Sequence, residues 1–128
     1  MIKWNKKGLK INGIFPHTGG VYCISIDGGE CYYIGRSNDL SRRVCCQHYS
    51  GNWRQSAFRR NFGKKFLEIE ARSKANIPPA TEKKLSQEIF KRCSVAFYCI
   101  ANETVQKSME RKYVEEFRAK EKCLLNKQ

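Results

Sequence analysis

Two tyrosines, Tyr22 and Tyr33, stand eleven residues apart within GVYCISIDGGECYYIGRSNDLSRRVCCQH, residues 20–48. Arg36, Arg42 and Arg43 follow closely, and a glutamate, Glu110, lies far downstream beside Met109. Each residue type has a definite chemistry. A guanidinium presents a planar fork of donors that matches a phosphate. A carboxylate can hold a divalent cation. A phenol has a pKa near 10, so one that accepts a proton needs a neighbouring arginine or metal to favour its phenolate. Together these are the groups that hydrolysis of a phosphodiester calls for: an activated water, neutralised charge on the phosphate and help for the leaving oxygen.

The elements that must position them can be read locally. Val21–Ile26 and Cys31–Ile34 flank Asp27-Gly28-Gly29-Glu30, a tight-hairpin signal because glycine accepts the positive φ of such turns. A period of two puts Tyr22, Ile24 and Ile26 on one face and Val21 and Cys23 on the other, with Tyr32 pointing opposite Tyr33. Gly35, without a side chain, ends the second strand and permits close approach of a backbone or phosphate. Ser37-Asn38-Asp39 offers caps for a helix over about 39–49, whose four-residue steps run through Leu40, Val44 and His48 as its buried line. Arg43 borders that line, where a guanidinium reaches a cleft while its stem stays packed.

Residues 52–66 are the densest basic stretch, with Arg54, Arg59, Arg60, Lys64 and Lys65 interleaved with Trp53, Phe58 and Phe62. Ala57, Phe58 and Phe62 fit helical spacing, with Gly63 as the stop. Phe66–Ala71 reads equally as a short strand or a helical extension. Thr81 caps a helix to about Arg92 with Leu85 and Ile89 buried, and Cys93–Ala101 is an apolar, central strand. Asn102 caps a last helix to about Lys120, buried along Val105, Met109, Tyr113 and Phe117, with Glu110 at the border of that stripe. Glu103 is its rival, but a carboxylate in the first turn is explained by the helix dipole. The tail, Cys123-Leu124-Leu125-Asn126, either packs or frays. Trp4, Ile11 and Phe15 read as anchors of the N-terminal segment.

With 25 Lys and Arg against 12 Asp and Glu, the net charge is +13, which favours polyanions as partners. Seven cysteines without a C-x-x-C argue against a zinc site and against a disulfide framework, and point to a reducing, cytoplasmic setting. The N-terminus lacks a signal-peptide core, and no run approaches the ~18 apolar residues of a membrane span. The expectation is one soluble domain over 1–128 that does not engage membranes.

Gly20-Val21-Tyr22, then Tyr33-Ile34-Gly35, then Arg43 eight positions past Gly35 resembles the nuclease domain of the GIY-YIG family, which includes an excinuclease nuclease domain and some homing and restriction endonucleases. Glu110-Arg111-Lys112-Tyr113-Val114 resembles the family's Glu-x-x-aromatic-aliphatic helix. The resemblance implies an α+β domain: a small, mainly antiparallel three-stranded sheet from about 20–27, 31–36 and 93–101, flanked by helices. It implies a Mg²⁺- or Mn²⁺-dependent DNA endonuclease, with Glu110 holding one metal and Arg43 binding phosphate. Tyr22 then serves as the base or positioner of the water, Tyr33 as its support, and Arg36 stands where some members carry a lysine near the site.

Two departures stand out. Many members place a histidine four residues after the helix arginine; here that position is Gln47, and His48 follows. At 100° per residue His48 lies about 140° round from Arg43, so it reads as core or DNA-facing. The second departure is the 67-residue separation of Arg43 and Glu110, which makes about 51–92 a basic inserted segment. Within it Arg54, Arg59, Arg60, Lys64 and Lys65, together with His48, are the candidate DNA contacts. The alternative is a nucleic-acid-binding module of the same fold without catalysis, and a third reading is a basic protein directed to structured RNA. Sequence leaves monomer and homodimer both open.

Overall fold

In the computed structural model, which describes residues 4–126, the hairpin forms where the glycines allow it. Asp27, Gly28 and Gly29 take φ of 51°, 72° and 106°, and the N–H groups of Gly29 and Glu30 both donate to Ile26 O. The strands, in chain order, are β1 (Lys6–Lys10), β2 (Gly20–Ile26), β3 (Cys31–Ser37) and β4 (Cys93–Cys99). They form one antiparallel sheet in the order β1-β4-β2-β3. The domain is α+β as expected, but the sheet has four strands, not three. The added strand β1 (KKGLK) has a single apolar side chain, Leu9, and carries a bulge between Lys6 and Leu9 where Gly8 has φ 70°. Such an edge strand, studded with lysine, has no alternating signal to read.

The four helices are α1 (Ser41–Tyr49), α2 (Ala57–Phe66), α3 (Pro79–Arg92) and α4 (Glu103–Ala119). The strand alternation distributes them. Tyr22, Ile24, Ile26, Val95 and Phe97 face a large core with Leu40 and Val44 of α1, Phe58 and Phe62 of α2, and Leu85 and Ile89 of α3. Val21, Cys23 and Ile34 face a smaller core against Tyr113, Met109, Val114 and Phe117 of α4. The Tyr22 ring and the helix that carries Glu110 therefore lie on opposite faces of the sheet. Among the described residues no helix is long and apolar enough to cross a membrane.

Several boundaries differ from expectation for local reasons. Gly63 lies inside α2 instead of ending it, and a side chain there would press on Trp53 and Ile69, so the glycine serves close packing. The helix continues to Phe66, and residues 67–71 form neither strand nor helix. Pro79, not Thr81, opens α3, since a proline at the first helical position needs no N–H partner. Asn102 caps α4 as expected, accepting from Val105 N–H at 3.0 Å. On α4, however, Val105 is 45 % exposed and the neighbouring Gln106 is fully buried.

The tail packs. Tyr32 N–H donates to Cys123 O (2.9 Å) and Leu125 N–H to Tyr32 O (2.8 Å), so the chain runs parallel to β3 along its outer edge. Asn126 continues the pairing, accepting from Ile34 N–H and donating to Ile34 O. A disulfide joins Cys31 to Cys123. This corrects the expectation of unpaired cysteines: the two partners are 92 residues apart, and only the docking of the tail brings them together.

Candidate active site

Tyr22 pairs across the hairpin with Gly35, and its ring lies over that glycine. A methyl group at position 35 would run into the Tyr22 ring and hydroxyl. The glycine therefore makes room for the phenol, where the sequence pattern reserved it for a backbone or phosphate. Tyr22 is fully buried, and its hydroxyl lies 2.6 Å from Nε2 of His48. On the other side of the imidazole, Nδ1 lies 2.7 Å from Ser56 Oγ, which also accepts Arg59 N–H at 3.0 Å as the cap of α2. Tyr33 closes the cluster, its ring 5.7 Å from that of His48 and 5.3 Å from that of Phe58.

His48 thus does not face DNA. Its place in the cluster follows from the winding of α1, which is a π-helix: Ser50 N–H reaches back five residues to Cys45 O (3.0 Å). In an α-helix, side chains four apart stack; with i→i+5 hydrogen bonds, residues five apart take over that relation. Arg43 and His48, five apart, are brought onto one side of α1 despite the extra residue between them. The 140° offset assumed an α-helix and does not hold here.

Arg43 is exposed and acts on four groups at once. Burial first, then the Tyr33 and Glu110 charges, push the Tyr22 phenol well above its usual pKa, while Arg43 opposes them by charge and by side-chain hydrogen bonding. Burial also raises Tyr33, again against Arg43 and, more weakly, Arg60. Burial, with Arg43 and Arg59 behind it, depresses His48 to about 3, so the imidazole is neutral. Desolvation raises the Glu110 carboxyl, with Arg36 and Arg43 pulling the other way. Tyr22, Tyr33, Arg36, Arg43 and Glu110 therefore belong to one electrostatic neighbourhood. Beside it a polar cavity of about 340 Å³ has Arg36, Arg42, Arg43 and Gln47 on its walls.

Arg36 lies on the α4 face of β3. Its Nη1 donates to Gln106 Oε1 (3.1 Å) and its Nη2 approaches Glu103 Oε1 (3.4 Å). Gln106 is itself fixed by donating to Ile100 O (2.7 Å), and Gly19 leaves space for its amide. Glu103 is occupied at the surface by Lys107 and Arg36, which hold its carboxyl below the usual range, Lys107 contributing most. Glu110 is different: half-buried, it takes no hydrogen bond or ion pair among the described residues.

That lone carboxylate is the test for a metal. Among the described residues no three His, Cys, Asp or Glu side chains gather to form a protein-only cage, and the one zinc-type donor at the site, His48, has both ring nitrogens engaged by Tyr22 and Ser56. Mg²⁺ makes other demands: hard oxygen donors, one or two carboxylates, and water or phosphate in the remaining positions. An unpaired, partly desolvated carboxylate acted on by Arg36 and Arg43, both of which line the polar cavity, fits that pattern.

The basic segment divides in two. Arg54, Lys64 and Lys65 are exposed and stay available to a polyanion. Arg60 is half-buried, its Nη1 donating to Trp53 O (2.8 Å) and Arg54 O (3.0 Å). Arg59 is fully buried and makes no DNA contact: Nη1 donates to Tyr49 O (2.6 Å) and Ser86 Oγ (2.9 Å), and Nη2 pairs with Glu82 Oε1 at 2.8 Å. It ties the carbonyl end of α1 to α3, where a cation complements the helix dipole. Composition cannot separate such an arginine from its solvated neighbours.

Three residues at or beside this site have no role that the sequence reveals. Ser56 is legible as a cap before AFRRNF, but not as a partner of His48. Gln106 lies one α-helical turn before Glu110 and so shares its face. Asn126 holds the main chain of Ile34 between Tyr33 and Gly35, and nothing local signals it. No protein-family model, curated protein or solved structure matches this chain.

Proposed function

We propose that the protein is a divalent-metal-dependent DNA endonuclease of the GIY-YIG type, hydrolysing phosphodiester bonds at a single-metal site. The observation that carries this reading is the reach of Arg43, whose charge bears on Tyr22, Tyr33, His48 and Glu110 together. A set drawn from two strands and helices on both faces of the sheet has no structural need to converge on one guanidinium. Glu110 would hold one Mg²⁺ or Mn²⁺, which neutralises charge at the phosphate and the leaving oxygen.

The chain's own residues do the rest. Arg43 and Arg36 bind the phosphate oxygens from the cavity wall. Drawing the Arg43 guanidinium onto a phosphate uncovers the Tyr22 hydroxyl, whose lone pair then orients the attacking water. As the water oxygen bonds to phosphorus, the bond from phosphorus to the leaving oxygen breaks; the water proton passes to Tyr22, the Tyr22 proton passes to Nε2 of His48, and the leaving oxygen takes its proton from solvent. The phenol gives a proton as it receives one, so its high pKa is no obstacle. The bound phosphate also offsets one of the two guanidiniums that suppress the basicity of His48. Arg54, Lys64 and Lys65 supply non-specific attraction to the DNA backbone, with strong salt dependence.

The net charge of +13 alone also suits a binding module without catalysis. Purified protein incubated with supercoiled, branched and single-stranded DNA, with Mg²⁺ or with EDTA, separates the two. Cleavage that requires the metal supports the endonuclease; retention on every substrate without cleavage supports the module.

A further inference from the structure

We infer that Ser56 is a positioning residue whose Oγ accepts the Nδ1 proton of His48, leaving Nε2 bare to receive the Tyr22 hydroxyl proton. Its catalytic consequence rests on the endonuclease reading above; the tautomer itself can be read without any cleavage.

A neutral imidazole has one N–H and one lone pair, so of its two polar contacts one donates and one accepts. Both contacts here are short, 2.6 Å to Tyr22 and 2.7 Å to Ser56, and both hydroxyls are buried. Were the proton on Nε2, the Tyr22 oxygen would accept that N–H. Its own buried O–H would then have no acceptor among the described residues. With the proton on Nδ1, the phenol donates to Nε2 and its oxygen stays open to Arg43. Ser56 Oγ then fills its two lone pairs with His48 Nδ1–H and Arg59 N–H. The hydroxyl left without an acceptor in this arrangement is the serine's, an aliphatic alcohol and a weaker acid and donor than a phenol. Burial, with the Arg43 and Arg59 guanidiniums behind it, keeps the ring neutral, so the choice between tautomers is real.

The segment 51–92 thereby gains a purpose beyond its exposed charge. It carries Ser56 against the underside of α1 and anchors that contact with the Arg59 bonds to Tyr49 O and Ser86.

The direct test is ¹⁵N NMR of the imidazoles in the full chain at pH 7, where only His17 and His48 contribute. A protonated Nδ1 and a pyridine-like Nε2 for His48 are expected; a protonated Nε2 overturns the inference. Ser56→Ala should slow Mg²⁺-dependent cleavage about 10–100-fold by loosening the relay, with DNA affinity unchanged. Because Ser56 also caps α2, Ser56→Thr serves as the control that keeps a hydroxyl, and it should restore both the Nδ1 signal and the rate. Wild-type rates in Ser56→Ala also overturn the inference. A wild-type protein that never cleaves but shows the Nδ1 proton sinks the endonuclease reading and upholds the tautomer.

Discussion

Lowering the pH should destabilise this protein through His48. The imidazole has a pKa of about 3 in the fold against an ordinary 6.5. Below pH 6.5 the unfolded chain takes up a proton that the folded chain refuses, so stability falls as pH drops and is unaffected well above 6.5. At 1.36 kcal/mol per pK unit, the loss at pH 5 is about 2 kcal/mol. Burial is the leading cause, so the effect should persist in moderate salt, which screens Arg43 better than it screens Arg59. The assay is urea unfolding of wild type and His48→Gln at pH 7 and pH 5. Glutamine keeps a donor and an acceptor but has no titration, so the variant should lose about 2 kcal/mol less between the two pH values. The His48 ring resonances should also stay constant from pH 7 to 5. Equal losses in the two proteins, or a His48 resonance titrating in that interval, would refute the argument that the imidazole is held neutral.

Glu110→Gln should abolish Mg²⁺-dependent nicking while leaving duplex affinity in EDTA nearly unchanged; undiminished cutting would move the metal elsewhere. Gly35→Ala should lower stability by about 1–3 kcal/mol, read by thermal or chemical melting, because the methyl displaces the Tyr22 ring. Arg59→Ala should cost about 3 kcal/mol by stranding Glu82 and the α1 carbonyls. Lys64→Ala and Lys65→Ala should leave stability alone and each reduce the slope of log affinity against log salt by about one; a loss of stability there would reverse the division of the basic segment.

The parts of the fold legible in sequence are those set by neighbours along the chain. Asp27-Gly28-Gly29 specifies its turn through backbone sterics alone, and the alternation along Gly20–Ile26 assigns Tyr22 and Val21 to opposite faces. Leu40, Val44 and His48 are buried as their spacing implies, and Asn102 caps its helix by a local bond. β1 was not legible, because pairing with β4 needs only main-chain groups and leaves little trace in KKGLK. Met109, Tyr113 and Phe117 of α4 pack inward as their spacing implies, but in the first turn Gln106 replaces Val105 inside, held by Arg36 and the Ile100 carbonyl, the former distant in sequence.

By itself, the sequence determined which chemical groups this protein owns and in what order: two phenols on a hairpin, arginines after it and a carboxylate on the last helix. The tertiary structure decided how they meet. It wound α1 with one extra residue per hydrogen-bonded turn, so that His48 lies under Tyr22. It buried Arg59 while leaving Lys64 and Lys65 outside, and it laid the tail along β3 with Cys123 against Cys31. Local periodicity reports which way a side chain points from its own element; the partner it finds there depends on elements tens of residues away.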